Sequence, residues 1–135
     1  MEEQIVTFET AKLAKEKGFD LWVNSAYLED KFLYGTISLM EESDSAFIDI
    51  MDGIELENHN HFEFKNRYSA PTQSLLQKWL RDKYRILIFP YVDFHEKEYF
   101  YCSIFPVNGD RFSIENFNTY EKALELGLQE ALKLI

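Results

Sequence analysis

The chain has 135 residues, with 24 Asp and Glu against 14 Lys and Arg, and a formal net charge of −10. An apolar share of 46%, with 12 Phe, 8 Tyr and only 5 Gly and 3 Pro, excludes a disordered tail and is enough for one domain with a core, residues 1–135. Apolar runs such as Ile86-Leu87-Ile88-Phe89 fall far short of the roughly 20 residues that span a bilayer, and Met1-Glu2-Glu3-Gln4 lacks the basic and apolar regions of a signal peptide, so a cytoplasmic protein is expected.

In chain order, the first predicted element is a helix over about 8–17. Thr7 is its candidate N-cap, Val6 and Ala11 a candidate hydrophobic staple, and Gly18 stands where a left-handed C-cap is wanted, followed by apolar Phe19. Strand-like runs follow at 20–24, 32–39 and 46–51. The last of these alternates, and Asp52-Gly53 then signals a hairpin. The second helix, about 71–83, has Ser69 or Thr72 as cap and Pro71 in its first turn. Leu75, Leu76, Trp79 and Leu80 share one face. Two strands, 85–89 and 98–107, lead through Asn108-Gly109-Asp110 into a third at 111–117, a hairpin. The third helix, about 119–134, opens at Asn118 or Thr119, and Asn118 with Glu121 has capping-box spacing. Its stripe of Tyr120, Leu124, Leu128, Ala131, Leu132 and Ile135 is interrupted by Gly127. A glycine there lowers helix stability by about 1 kcal/mol relative to Ala. Either it lets the helix approach another helix or the sheet closely, or it is uncompensated. The fold expected is α+β: an antiparallel sheet of about six strands with three helices packed mainly on one face.

Three blocks carry a resemblance: AKLAKEKGFD, YSAPTQSLLQKWLRDKYRI and TYEKALELGLQEALKLI. They resemble a family of small uncharacterised proteins encoded in prophages and mobile elements of Bacteroides-type gut bacteria. The match covers roughly 45 residues and leaves out the middle of the chain, about 20–67. Asp82, Tyr120 and Lys122 depart from the family pattern in charge, which leaves the helical reading intact. The resemblance brings no activity, catalytic residue or cofactor. It implies a cytoplasmic bacterial or phage setting and a helix–hairpin–helix scaffold.

Charge is unevenly spread. Residues 1–64 hold 15 acids and 4 bases, and residues 65–135 hold 9 acids and 10 bases. Between Glu41 and Glu63 there are eight acids and no base. A solvated face is the plain reading of such a run. The sharper one is an imitation of a nucleic-acid backbone that occupies a DNA-binding protein, with Glu41, Glu42, Asp44 and Asp49 as binding residues.

The stretch ELENHNHFEF, 55–64, holds two of the three histidines. Read as a strand, it places Glu57, His59, His61 and Glu63 on one face. Two histidines at i and i+2 reach one zinc or other divalent metal, a glutamate completes three ligands, and His95 offers a fourth. The other readings are a polar, solvent-facing strand or a loop around Asn58-His59-Asn60. Cys102, the only cysteine, excludes an internal disulfide and reads as a small buried residue, because nothing nearby in sequence would activate a thiol. Tyr99, Phe100, Tyr101, Phe105 and Phe112 have the look of a base-stacking platform, but the acidic charge disfavours direct nucleic-acid binding and core packing explains them more simply.

No Gly-rich phosphate loop or nucleophile elbow is present, so the sequence points away from an enzyme. It points instead to a non-enzymatic, phage-related protein-interaction module with an unknown protein partner, no membrane association and no cofactor. The alternative is a metal-dependent hydrolase or nuclease using His59 and His61. A homodimer through the apolar C-terminal helix is a further arrangement that the sequence allows.

Overall fold

The structure, a computed structural model, describes residues 4–34, 57–93 and 99–135. Among these residues it shows an α+β fold with three helices and six strands. The strands form two three-stranded antiparallel sheets rather than one. The chain divides into two compact units, residues 7–71 and residues 1–6 with 72–135. The expected strand at 46–51, the turn at Asp52-Gly53 and His95 lie outside the described residues, as does the end of the strand expected at 32–39. Among the described residues, no helix is long and apolar enough to cross a membrane.

In the unit of residues 7–71, helix α1 is Phe8–Glu16. Thr7 caps it, its hydroxyl accepting from the Thr10 N–H at 3.4 Å. At the other end Gly18 takes φ +89°, the Phe19 N–H reaches the Ala14 carbonyl at 2.9 Å and the Gly18 N–H reaches that of Lys15 at 3.1 Å. This is a Schellman ending, which needs the left-handed residue that only glycine supplies without strain. Phe19 is thereby turned into the core.

Strand β1 is Ser25–Leu28, β2 is Lys31–Tyr34 and β3 is Arg67–Ser69, in the order β2-β1-β3. The strand expected at 20–24 thus begins later. Val23 makes only an isolated bridge to Glu57, whereas from Ser25 onward the backbone finds partners on both sides. The β1–β2 turn, Glu29-Asp30, places Glu29 at φ 57° with no glycine to signal it. Phe8 packs edge-on against Tyr27 and Tyr68, tying α1 to this sheet.

In the other unit, helix α2 is Gln73–Tyr84, capped by Thr72, whose hydroxyl accepts from the Leu75 N–H at 3.2 Å. Pro71 therefore precedes the cap instead of sitting in the first turn. Leu76, Trp79 and Leu80 are buried. Arg85, in the left-handed region at φ 57°, ends the helix and turns the chain directly into β4, Ile86–Asp93. Strands β5, Tyr99–Pro106, and β6, Phe112–Phe117, complete the sheet in the order β4-β5-β6. Pro90 is tolerated because β4 is an edge strand. Helix α3, Tyr120–Leu132, is capped by Thr119, which accepts from the Lys122 N–H at 3.1 Å, so the expected Asn118–Glu121 box lies one residue out of place.

Helices α2 and α3 both pack against the sheet. Ile86, Ile88, Cys102 and Ile104 are buried with Leu124, Leu128, Ala131 and Leu132. The stripe of α3, expected to serve a homodimer, is thus used within the unit. At Gly127, α3 lies directly against the sheet. A Cβ there would overlap the Cys102 thiol and meet Cys102 Cβ and Ile88 Cγ2 at 3.3 Å each. Of the two readings of this glycine, close approach to the sheet is the one found. Gln73, buried at the start of α2, donates from Nε2 to the Glu121 carbonyl at 2.9 Å and to Glu125 Oε1 at 2.8 Å, fixing α2 on α3.

Gly127→Ala should lower stability by about 1–3 kcal/mol despite the better helix propensity of alanine, because the methyl overpacks this contact. Urea unfolding checks it. In a Cys102→Ala background the same substitution should do less harm, since the clashing sulfur is gone.

Candidate functional site

Residues 57–66 do not form the strand that would align Glu57, His59, His61 and Glu63. Only Glu57 bridges, to Val23, and the chain then turns repeatedly. Asparagines cause this. Asn58 Oδ1 accepts from the Asn60 N–H at 2.9 Å, a local turn bond that competes with a strand ladder. Asn60 then spans two parts of the unit: its Nδ2 donates to the Phe19 carbonyl at 2.9 Å, and its Oδ1 accepts from the Ser69 N–H at 2.8 Å.

The four residues are accordingly split. His59 is fully buried, with Nδ1 3.4 Å from Arg67 Nη1 and 3.7 Å from Glu57 Oε1. Arg67 also reaches Glu57 at 3.4 Å and lies over the Phe64 ring, 4.1 Å from its centroid. His61 is exposed, stacks on Phe62 with centroids 4.4 Å apart, and accepts at Nδ1 from the Glu63 N–H at 3.3 Å. Glu63 is exposed. A metal ion at His59 Nδ1 would have to displace Arg67, and His61 is engaged elsewhere. Among the described residues, no group of three or more His, Cys, Asp or Glu is placed to hold a metal. Glu41, Glu42, Asp44 and Asp49 lie outside the described residues.

Lys15 reinforces the same joint. Its Nζ donates to the Phe64 and Arg67 carbonyls at 2.7 Å each and sits 4.9 Å from the Tyr68 ring centroid. Burial pulls this ammonium below its ordinary pKa of 10.5. The sequence singled out the histidines here. The residues that organise the turn are Asn60, Lys15 and Arg67.

A different surface stands out in the unit of residues 72–135. With α2 and α3 on one face of the β4-β5-β6 sheet, strand alternation sends Leu87, Phe89 and Tyr91 to the other, where they are 39%, 50% and 44% exposed. Tyr101, Ser103 and Phe105 pair with them on β5. Tyr91 and Tyr101 stack with centroids 5.3 Å apart, and Phe89 meets Phe105 edge-on at 5.6 Å. Arg111 lies over Phe105, and Ser103 shares a 2.9 Å hydrogen bond with Ser113. Of the aromatics singled out in the sequence, Tyr99, Tyr101 and Phe105 fall on this outer face by register, while Phe100 and Phe112 register with inner positions. Leu87, Phe89 and Tyr91 were missed, because an unbroken apolar run reads as a strand covered on both sides.

Cys102, under Gly127, is fully buried. Burial pushes its thiol from 9.0 up to about 12, so at neutral pH it is an unreactive packing group.

Asn60→Ala should lower the stability of this chain by about 2 kcal/mol in urea unfolding, since it strands the Ser69 N–H and the Phe19 carbonyl. The Cys102 thiol sets an alkaline dependence. The folded state keeps this proton to about pH 12 and the unfolded chain releases it near 9.0, so its contribution is full below pH 9 and falls as pH rises toward 12. Lys15 acts in the opposite sense near its ordinary 10.5. The difference between wild type and Cys102→Ala, followed from pH 8 to 11, isolates the cysteine and should shrink as pH rises.

Comparison of the chain with protein-family models, with curated proteins and with solved structures finds no match.

Proposed function

We propose that this chain is a non-enzymatic protein-interaction module whose contact surface is the outer face of the β4-β5-β6 sheet. The observation that carries this reading is the exposure of Leu87, Phe89 and Tyr91 beside Tyr101 and Phe105 on one continuous sheet face. Contiguous exposed apolar surface is costly in water and marks places where proteins meet, and aromatic side chains supply most of the contact energy there. Its occupant is an apolar, uncharged protein surface. Among the described residues that strand register places on this face of β4 and β5, Asp93 is the one charged residue and none is basic, so a phosphate backbone would find little to hold beyond Arg111, which lies over Phe105. The acidic run from Glu41 to Glu63 adds a separate, charge-selective contact in this reading, suited to a basic partner.

Phe89→Ser with Tyr91→Ser should leave the fold in place, shifting stability by about 1 kcal/mol or less because both side chains are half exposed. Affinity capture with wild type and with this double variant, read by mass spectrometry after nuclease treatment, checks the reading. Proteins held by wild type and lost by the variant support it. Identical capture by both overturns it.

A further inference from the structure

Strands β4 and β6 are the outer strands of their sheet, and their edges are built differently. On β4, Pro90 has no N–H to offer, and Gln77 Nε2 donates to the Ile88 carbonyl at 2.6 Å. Proline and side-chain cover both keep an edge from pairing. Pro90 also fixes the hydrogen-bond phase of the sheet. Its ring nitrogen faces the free edge of β4, so its register partner Cys102 turns its own peptide groups toward Ile114 on β6. Ser113, one residue away, then points its N–H and carbonyl outward, to the free edge of β6. The 2.9 Å contact of the Ser103 and Ser113 hydroxyls agrees with this, since side chains approach most nearly at a non-hydrogen-bonded pair. Among the described residues, no strand pairs with that edge. Burial differs in the same sense. Ile86 and Ile88, on the inner side of β4, are 3% and 2% exposed, whereas Phe112 and Ile114 on β6 are only half-buried.

We propose that the free edge of β6 accepts an extended peptide segment of a partner protein as a fourth strand. This inference rests on the reading of the chain as an interaction module, though not on the outer face as its contact surface. Unpaired N–H and carbonyl groups along a strand edge specify an extended backbone, because a strand returns acceptors and donors at the same spacing. The paired run ends at Ile114, since the register shift that follows bends β6 and breaks the ladder. Side-chain preference follows from alternation. The partner residue opposite Ser113 lies on the outer side, beside the Ser113 hydroxyl, where a small or polar side chain fits. Its two neighbours lie on the inner side against Phe112 and Ile114, and apolar side chains there complete the burial that β6 lacks. The segment recognised therefore alternates: apolar, then small or polar, then apolar.

Selection of binders to the full chain from a displayed library of short random peptides tests this, and the selected peptides should share the alternating pattern. Ser113→Pro copies the Pro90 device onto β6: it removes the outward N–H and leaves the β5–β6 ladder intact. It should weaken binding of a selected peptide by about tenfold or more, with an unchanged circular dichroism spectrum. Ser113→Ala, which lacks only the hydroxyl, should bind nearly as wild type does. N-methylation of the peptide nitrogen opposite Ser113 should abolish binding, a readout that needs no variant of the chain. In amide hydrogen exchange of the free chain, Ser113 should exchange faster than Phe112 and Ile114 and become protected when the peptide binds. Equal protection of all three in the free chain means that the edge is already paired, within the chain or by a second copy, and overturns the proposal. An absence of alternating binders overturns it too, as do binders indifferent to Ser113→Pro and to N-methylation. Binders lost in the Phe89 and Tyr91 double variant but kept by Ser113→Pro sink the edge and leave the outer face standing. Binders with the opposite response support the edge alone.

Discussion

The contact of Gly127 with Cys102 and Ile88 sets the architecture of residues 72–135. A helix can lie this close to a sheet only where it presents no side chain, and the penalty for glycine in mid-helix is offset by the packing that close approach allows. Leu124 and Leu128, on either side of Gly127, are buried along with Ala131 and Leu132 as a result. Cys102 is best understood from this side as well. It is a small, soft group filling the space that the glycine leaves, and burial keeps its proton in place.

Once α3 is seated there and α2 is fixed beside it through Gln73 and Glu125, the inner face of the sheet is filled. Strand alternation does the rest. Every second residue of β4 and β5 must point away from the helices, and in this sequence those residues include Leu87, Phe89, Tyr91, Tyr101, Ser103 and Phe105. The exposed aromatic face is therefore a consequence of one-sided coverage acting on a strand apolar on both sides. The same packing uses the apolar stripe of α3 within the unit.

Residues 7–71 are held together in another way. Three side chains reach across the unit to backbone groups or to one another: Lys15 to two carbonyls, Asn60 to a carbonyl and an N–H, and Arg67 to Glu57 and His59. Short strands of three and four residues leave many backbone groups without ladder partners, and side chains that satisfy them define where the turns go. His59 is one member of this polar joint, and its burial follows from that role.

By itself the sequence determined what depends on near neighbours. The Thr7 cap and Gly18 ending of α1, the periodic Leu76, Trp79 and Leu80 of α2, the Asn108-Gly109 turn and the apolar stripe of α3 are all local signals, and the α+β class follows from them. Pairings between distant segments were decided only by the tertiary structure. Short strands such as Arg67–Ser69 have no pattern of their own, the Glu29-Asp30 turn lacks a glycine to mark it, and the six described strands divide into two sheets through contacts that no local window contains. The candidate sites divide in the same way. Alternation along ELENHNHFEF suggested a ligand face, but Asn58 and Asn60 bond locally and across the fold instead, turning His59 inward and His61 outward. The outer face of the second sheet was invisible in the run Ile86-Leu87-Ile88-Phe89, because which half of an apolar strand meets water depends on where the helices pack.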